Sequence, residues 1–317
     1  MKKTLTTIAL SILCLLSFAQ QDVQYSMNTF NRLSVNPAYA GMNRALCATL
    51  FYRQQWTSFP GAPKTVLLSV DYGQILNGGL GLTIDQDQLG FEKTLKAKMA
   101  YSYHLPLAGG VLGIGLDAGI IQKSLNGNFI SPDGSTSNSG GGVDPSIPWN
   151  GFSATTYDVG FGLYYQTRRL YLGLSSLHLP EQQFKEMNKK YTEARHYYLM
   201  AGYTFIMPNP TWELTPSVLL KSVASSSQLD ANLMLKWNKI VFIGASYRMS
   251  DAAIAMAGVE KPVDQKKKIT AKLGLAYDMT LSNIYKQSSG TYEIMLGFCY
   301  KIKPDGLKTS HQNVRFL

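Results

Sequence analysis

Few residues of this chain have types and spacings suited to chemistry. Its four histidines, His104, His178, His196 and His311, share no ligand spacing, so the pattern predicts no metal centre. Gly113-x-Gly115 followed by Gly119 has the composition of a phosphate-cradling loop. That chemistry needs a strand ending at a helix N-terminus. Here Leu112, Ile114, Leu116 and Ile120 carry the strand on, so the glycines read as close-packing positions. There is no Gly-x-Ser-x-Gly nucleophile elbow. The Gly-, Ser- and Asn-rich stretch from Asp133 to Asp144 lacks the closing Glu of a calcium loop and reads as a surface loop. The chain is therefore expected to be no enzyme, with no catalytic residues, no cofactor and no metal.

What remains is a set of ionisable residues on the polar side of apolar alternations: Asp71, Asp85, Lys96, Lys98, Asp117, Asp158, Lys236, Lys272, Asp278 and Glu293. The elements that must position them are strands. Leu46, Ala48, Leu50 and Tyr52 alternate with Cys47, Thr49, Phe51 and Arg53, a period of two with one apolar face. The same period returns around residues 65–72, 80–85, 94–105, 112–120 and 157–166. It continues near 170–178, 194–206, 212–222, 228–237, 240–248, 252–260, 268–278 and 290–301. Fourteen such strands, most long enough to cross a bilayer at a tilt, predict an all-β fold, a 14-stranded antiparallel transmembrane β-barrel. The connections agree in part. Asn77 to Gly79, Pro106 to Ala108, Thr167 to Arg169, Pro208 to Pro210 and Trp237 to Lys239 are tight, and the three longest links fall on the other side. Lys261 to Lys267, however, is rather long for its side, and the links near Val223 and Ser250 are short for theirs. Aromatic residues near strand ends, among them Tyr101, Tyr103, Tyr165, Trp212, Trp237, Tyr247, Tyr277, Tyr292 and Tyr300, suit interfacial girdles. A soluble β-sandwich would need two domains for so many strands, and no linker divides the chain.

Composition fits export and a membrane. Hydrophobic residues make up 45% and charged residues 16%, against roughly 25% charged in soluble domains. No apolar run approaches the roughly 18 residues of a membrane helix. Lys2 and Lys3, the apolar run Ile8 to Leu16 and the Ser17-Phe18-Ala19 end read as a signal peptide cut after Ala19. The net charge of +10, +8 without Lys2 and Lys3, is spread rather than clustered, so no nucleic-acid partner is expected. The expected organisation is a signal peptide over 1–19, an N-terminal periplasmic or plug segment over 20–43, an outer-membrane barrel over 44–301 and a C-terminal periplasmic tail over 302–317.

A fourteen-stranded barrel has a lumen too wide for wall side chains to fill, so it is either watery or plugged. The inward charges then form a salt-bridged wall or a peptide-binding surface, and the pattern leaves both open. Tyr25, Phe30 and Tyr39, set in a polar, Asn-rich stretch, predict that the N-terminal segment folds back into the periplasmic mouth as a partial plug. Pro37 keeps Asn36 out of the helical region. Cys47 and Cys299 share the inward face of the first and last strands and are expected to be neighbours. A disulfide and two separate small apolar residues both fit, with the demanding cross-strand geometry favouring the second. Glu181 to Arg195 reads as a helix with Phe184, Met187 and Tyr191 on one side, packed on the rim or receiving a partner. Lys266 to Lys268 are expected in solvent at the periplasmic mouth.

Several linked motifs resemble the PorP/SprF family of outer-membrane proteins. They are Gln24-Tyr25-Ser26, Phe30-Asn31, Asn36-Pro37-Ala38-Tyr39-Ala40-Gly41, Tyr52-Arg53-Gln54-Gln55-Trp56, and Pro60 to Thr65. Tyr277 to Ser282, Ser289 to Gly297 and the tail Asn313 to Leu317 also resemble it. Thr291-Tyr292 departs from the Ser-His often found in the family, and the middle of the chain matches little. The resemblance implies a component of the type IX secretion or gliding system in the outer membrane of a Gram-negative bacterium. Such a barrel binds protein partners, periplasmic secretion-ring proteins or secreted surface proteins, to support secretion or surface attachment of cargo, and sits in outer-membrane lipid. The alternative class is a general or substrate-specific porin. Partner-binding or plug candidates are Gln24, Tyr25, Ser26, Phe30, Asn31, Asn36, Pro37, Tyr39 and Gly41. Lumen or loop candidates are Arg53, Gln54, Gln55, Trp56, Asp278 and Glu293.

Overall fold

The computed structural model describes residues 22–58, 60–125, 151–186, 189–223, 226–264 and 268–301. The expected signal peptide, the Asp133–Asp144 loop, Met187, Lys266, Lys267, His311 and the C-terminal tail lie outside them.

The alternating stretches form strands: β1 (Ala45–Gln54), β2 (Lys64–Ile75), β3 (Gly78–Leu89), β4 (Glu92–Leu107), β5 (Gly110–Leu125), β6 (Phe152–Gln166) and β7 (Leu170–Leu177). Then come β8 (Gln183–Glu186), β9 (Lys189–Thr192), β10 (His196–Tyr203), β11 (Phe205–Ile206), β12 (Trp212–Val223) and β13 (Ser226–Trp237). The last are β14 (Val241–Arg248), β15 (Ala252–Pro262), β16 (Ile269–Thr280) and β17 (Thr291–Lys301). Every pairing is antiparallel, β1 to β7 and β12 to β17 each pair with their neighbours in sequence, β1 pairs with β17, and β10 pairs with both β7 and β12. The short β11 continues β10 past Thr204, and β8 and β9 pair only with each other. The result is a closed barrel of 14 strands. Closure matters physically, because an open edge would leave unpaired backbone groups in hydrocarbon.

Side-chain period sorts the residues as expected. Leu50, Val66, Met99, Leu116, Leu174 and Leu296 are exposed on the outer face, while Phe51, Leu67, Asp117, Ser175 and Met295 between or beside them are buried. An apolar outer face is what lipid requires and water would not reward. Cross-strand aromatic pairs stand at both ends of the belt. Trp212 faces Trp237 at the rim of short turns, and Tyr277 faces Tyr292 at the opposite rim. By the usual arrangement of outer-membrane barrels, the rim carrying the tight turns is periplasmic and the other, the loop rim, extracellular.

Two expectations are corrected. The Glu181–Arg195 stretch is a β-hairpin, with Phe184 opposite Tyr191, and not a helix. Residues seven apart share a face of a helix, but they also stand opposite each other across a hairpin of this length, so spacing could not decide. Phe184 is buried under the loop rim with Lys123 over its ring. Cys47 and Cys299 are direct partners in the β1–β17 ladder, as expected of neighbours, but they form a disulfide with Cα atoms 4.1 Å apart. Barrel closure brings together two residues 252 positions apart in a pairing that the local pattern could not specify.

Candidate functional site in the barrel lumen

The lumen is occupied by residues 22–43. They form three short turns, Asn28–Phe30, Arg32–Val35 and Pro37–Tyr39, rather than one helix. Asn36 breaks the run as its proline neighbour demands, with φ −147° and ψ 108°. Its side chain then does two jobs: Oδ1 accepts the Ala38 N–H at 2.9 Å, and Nδ2 donates to the Leu163 carbonyl on β6 at 3.0 Å. The segment thereby hydrogen-bonds the wall through its own turn residue.

Glycines on the inner wall permit that approach. A methyl group on Gly115 would overlap the Ala38 backbone, and one on Gly162 would meet the Asn36 amide. Gly113 faces the Ala38 carbonyl, so the glycines first read as packing positions make room for the segment.

At the loop-rim side, four expected residues meet. The Glu293 carboxylate accepts the backbone N–H groups of Ser26 and Met27 at 2.7 and 2.8 Å. Arg53 donates from Nη2 to Asp278 at 2.9 Å and from Nη1 to Glu293 at 3.0 Å, and also to the Ser26 hydroxyl, which donates to Asp278 at 2.5 Å. All four side chains are buried. Charges out of water persist only when paired and hydrogen-bonded, so the wall and the segment satisfy each other. Beside them, Arg248 pairs with Asp230 at 3.3 Å and donates to the Tyr25 carbonyl at 3.1 Å. Tyr25 donates its hydroxyl to Asp85 at 2.6 Å.

On the turn-rim side, Arg32 lies 3.8 Å from the Tyr171 ring centre, and Nη1 donates to the Tyr164 hydroxyl at 2.8 Å. Tyr39 packs edge-on to Tyr164, and Phe30 on Phe242. Gly41, at φ 71°, passes against Gly73 and Gly79. Asn31 and Pro37 are buried, and Gln24 is half-buried near His196 and Tyr198. Gln54 ends β1, while Gln55 and Trp56 belong to the β1–β2 loop and hydrogen-bond Pro63 and Thr291 through their backbones, outside the Arg53 cluster.

The depth of the segment departs from expectation. Instead of resting in the periplasmic mouth, it runs from Asn43, beside Cys47 at the turn rim, to Asp22, beside Glu193 and His196 at the loop rim. Below it, toward the turn rim, a cavity of about 430 Å³ is lined by Arg32, Asp71, Arg168, Arg169, Glu213, Lys236, Glu260, Lys272 and Lys301. Lys236 and Lys272 both pair with Glu260, at 2.9 and 3.2 Å. Lys98 pairs with Asp158 at 2.6 Å.

The sequence reading missed Asp230, Arg248 and Lys221, which lie within recognised strands at inward-facing positions. That parity was the available signal. It also missed the convergence of His178 and His196, whose rings stand 5.4 Å apart because β7 ends where β10 begins. No spacing along the chain reports that.

Fold and site together define an outer-membrane β-barrel whose lumen is filled by its own N-terminal segment. The sequence matches the type IX secretion system membrane protein PorP/SprF family over residues 17–298, and the chain belongs to that family. Solved structures share the barrel at low identity. The CymD monoaromatic hydrocarbon channel superposes with a TM-score of 0.50 at 11% identity, covering 85% of this chain and 92% of that one. The Pseudomonas putida toluene transporter TodX gives 0.45 at 11% identity, over 81% and 89%. The Acinetobacter baumannii outer membrane protein Omp33 gives 0.41 at 8%, over 83% and 100%. No curated protein matches the sequence.

Proposed function

We propose that this protein is a non-catalytic outer-membrane component of a type IX secretion or gliding system in a Gram-negative bacterium. It binds periplasmic secretion-ring proteins or secreted surface proteins and so supports secretion or surface attachment of cargo. The observation that carries the reading, together with the family, is the lumen filled by residues 22–43 and sealed by the Arg53, Asp278, Glu293 and Ser26 cluster. A barrel so filled is suited to presenting surfaces rather than passing solutes. The cavity at the turn rim carries more cations than carboxylates and suits an acidic partner surface on the periplasmic side.

The test is cross-linking in cells from a photoreactive residue placed at Arg168 or Arg169, followed by mass spectrometry. Covalent products with a secretion-ring protein or a secreted surface protein are expected. Recovery of no secretion-system protein from either position would overturn the reading and favour the alternative, a general or substrate-specific porin.

A further inference from the structure

The loop-rim end of the segment holds a constellation outside the site described above. Asp22 Oδ2 lies 3.0 Å from His178 Nε2, and the Asp22 backbone N–H donates to His196 Nε2 at 3.1 Å. One carboxylate oxygen of Asp22 and a ring nitrogen from each of the two histidines stand within 4.8 Å of one another. Both histidines are buried, with His178 only 1% exposed.

We propose that Asp22 Oδ2, His178 Nε2 and His196 Nε2 form a transition-metal site suited to Zn²⁺, clasping the N-terminal segment to the extracellular rim. The far nitrogen of each ring supports this. His196 Nδ1 lies 2.8 Å from the Ala194 carbonyl, which can only accept, so that nitrogen carries the proton and the Nε2 lone pair faces Asp22. His178 stands between two carboxylates, Nδ1 at 2.9 Å from Asp158 Oδ2 and Nε2 at 3.0 Å from Asp22 Oδ2, so an ion bound at Nε2 would displace any proton held on that side. A carbonyl and a carboxylate behind two imidazoles are the outer partners that orient metal-binding histidines. In the structure that His196 lone pair accepts the Asp22 backbone N–H, a bond that a bound ion would replace.

The remaining groups fit. Lys96 holds Asp22 through the other oxygen, Oδ1, at 2.5 Å, leaving Oδ2 for the ion, although Oδ2 also accepts the Tyr198 hydroxyl at 2.9 Å. Glu193 Oε1 lies 3.9 Å from His178 Nε2 and would serve as a fourth donor by releasing Lys96, which it holds at 2.8 Å. Zn–N and Zn–O bonds of roughly 2.0–2.2 Å set neighbouring donors about 3.3 Å apart, so donors that now lie within 4.8 Å of one another must rotate inward to close on the ion. Two imidazoles with carboxylate donors suit zinc and disfavour Ca²⁺ and Mg²⁺, which take oxygen.

The test uses the full chain without a histidine tag, purified in detergent and stripped with a chelator. Zn²⁺ is titrated calorimetrically, with Ca²⁺ and Mg²⁺ in parallel. One Zn²⁺ per chain is expected, with binding weakened at least about thirtyfold in His196→Gln and in Asp22→Asn and unchanged in His104→Gln. Cobalt substituted for zinc should give visible bands that both variants lose. Heat-modifiable mobility on gels establishes that each variant is folded. Should one variant not fold, the other decides. Absence of Zn²⁺ binding by the parent chain, or equal binding by parent and folded variant, overturns the proposal.

Discussion

Arg53 shows how far a single side chain can govern this molecule. It is buried, its guanidinium bridges Asp278 and Glu293, and Glu293 in turn holds two backbone N–H groups of the luminal segment. Removing one partner of a buried pair costs about 3–5 kcal/mol because the other charge is left uncompensated. Arg53→Ala leaves two such carboxylates. The expected outcome is a lower midpoint for loss of the folded, heat-modifiable form in urea, together with loosening of the segment seen as faster protease cleavage near Ser26. Arg53→Lys keeps the charge but not the planar fork and is expected to recover only part of the loss. An unchanged midpoint in Arg53→Ala would show that the cluster contributes nothing.

At the scale of elements, the β1–β17 seam is both the barrel's closure and the location of its disulfide. Ten residue pairs register across it, from Ala45 with Lys301 to Gln54 with Tyr292, and Cys47 with Cys299 is one of them. A cross-link between the first and last strands limits how far the unfolded chain can expand, an effect of roughly 2–4 kcal/mol in typical cases. Denatured, unreduced protein is expected to titrate with no free thiol from this pair, and reduced protein with both. Two free thiols before reduction would remove the bond. The β8–β9 hairpin carries a separate lesson. Its apolar residues fit a helix or a hairpin equally, and the antiparallel pairing of Gln183–Glu186 with Lys189–Thr192 makes it a hairpin.

For the whole molecule, the question is whether the barrel conducts. The segment spans the lumen from Asp22 to Asn43, and the cavity of about 430 Å³ beneath it lies toward the turn rim. Full-length protein in a planar bilayer is expected to show little or no steady current. Deleting residues 22–34, which removes the Glu293-bound backbone and the Arg32 guanidinium, is expected to open a pore several-fold more conductive. A large, steady current from the intact chain, unaltered by the deletion, would favour the porin.

The amino-acid sequence by itself determined the period-two faces, the fourteen strands, the apolar outer belt and the inward set that includes Asp71, Lys98, Asp158, Asp278 and Glu293. These are local properties. Alternation is built into extended backbone, and lipid outside with polar groups inside selects it residue by residue. Family resemblance added the N-terminal motifs, and Arg53, Ser26, Asp278 and Glu293 were singled out before their partnership could be seen. Only the tertiary structure decided which charges pair, how deep the segment runs and that the two cysteines bond. Arg53 and Glu293 are 240 residues apart, and His178 meets Asp22 across 156. Their meeting depends on strand register and closure around the whole barrel, which a pattern read along the chain does not contain.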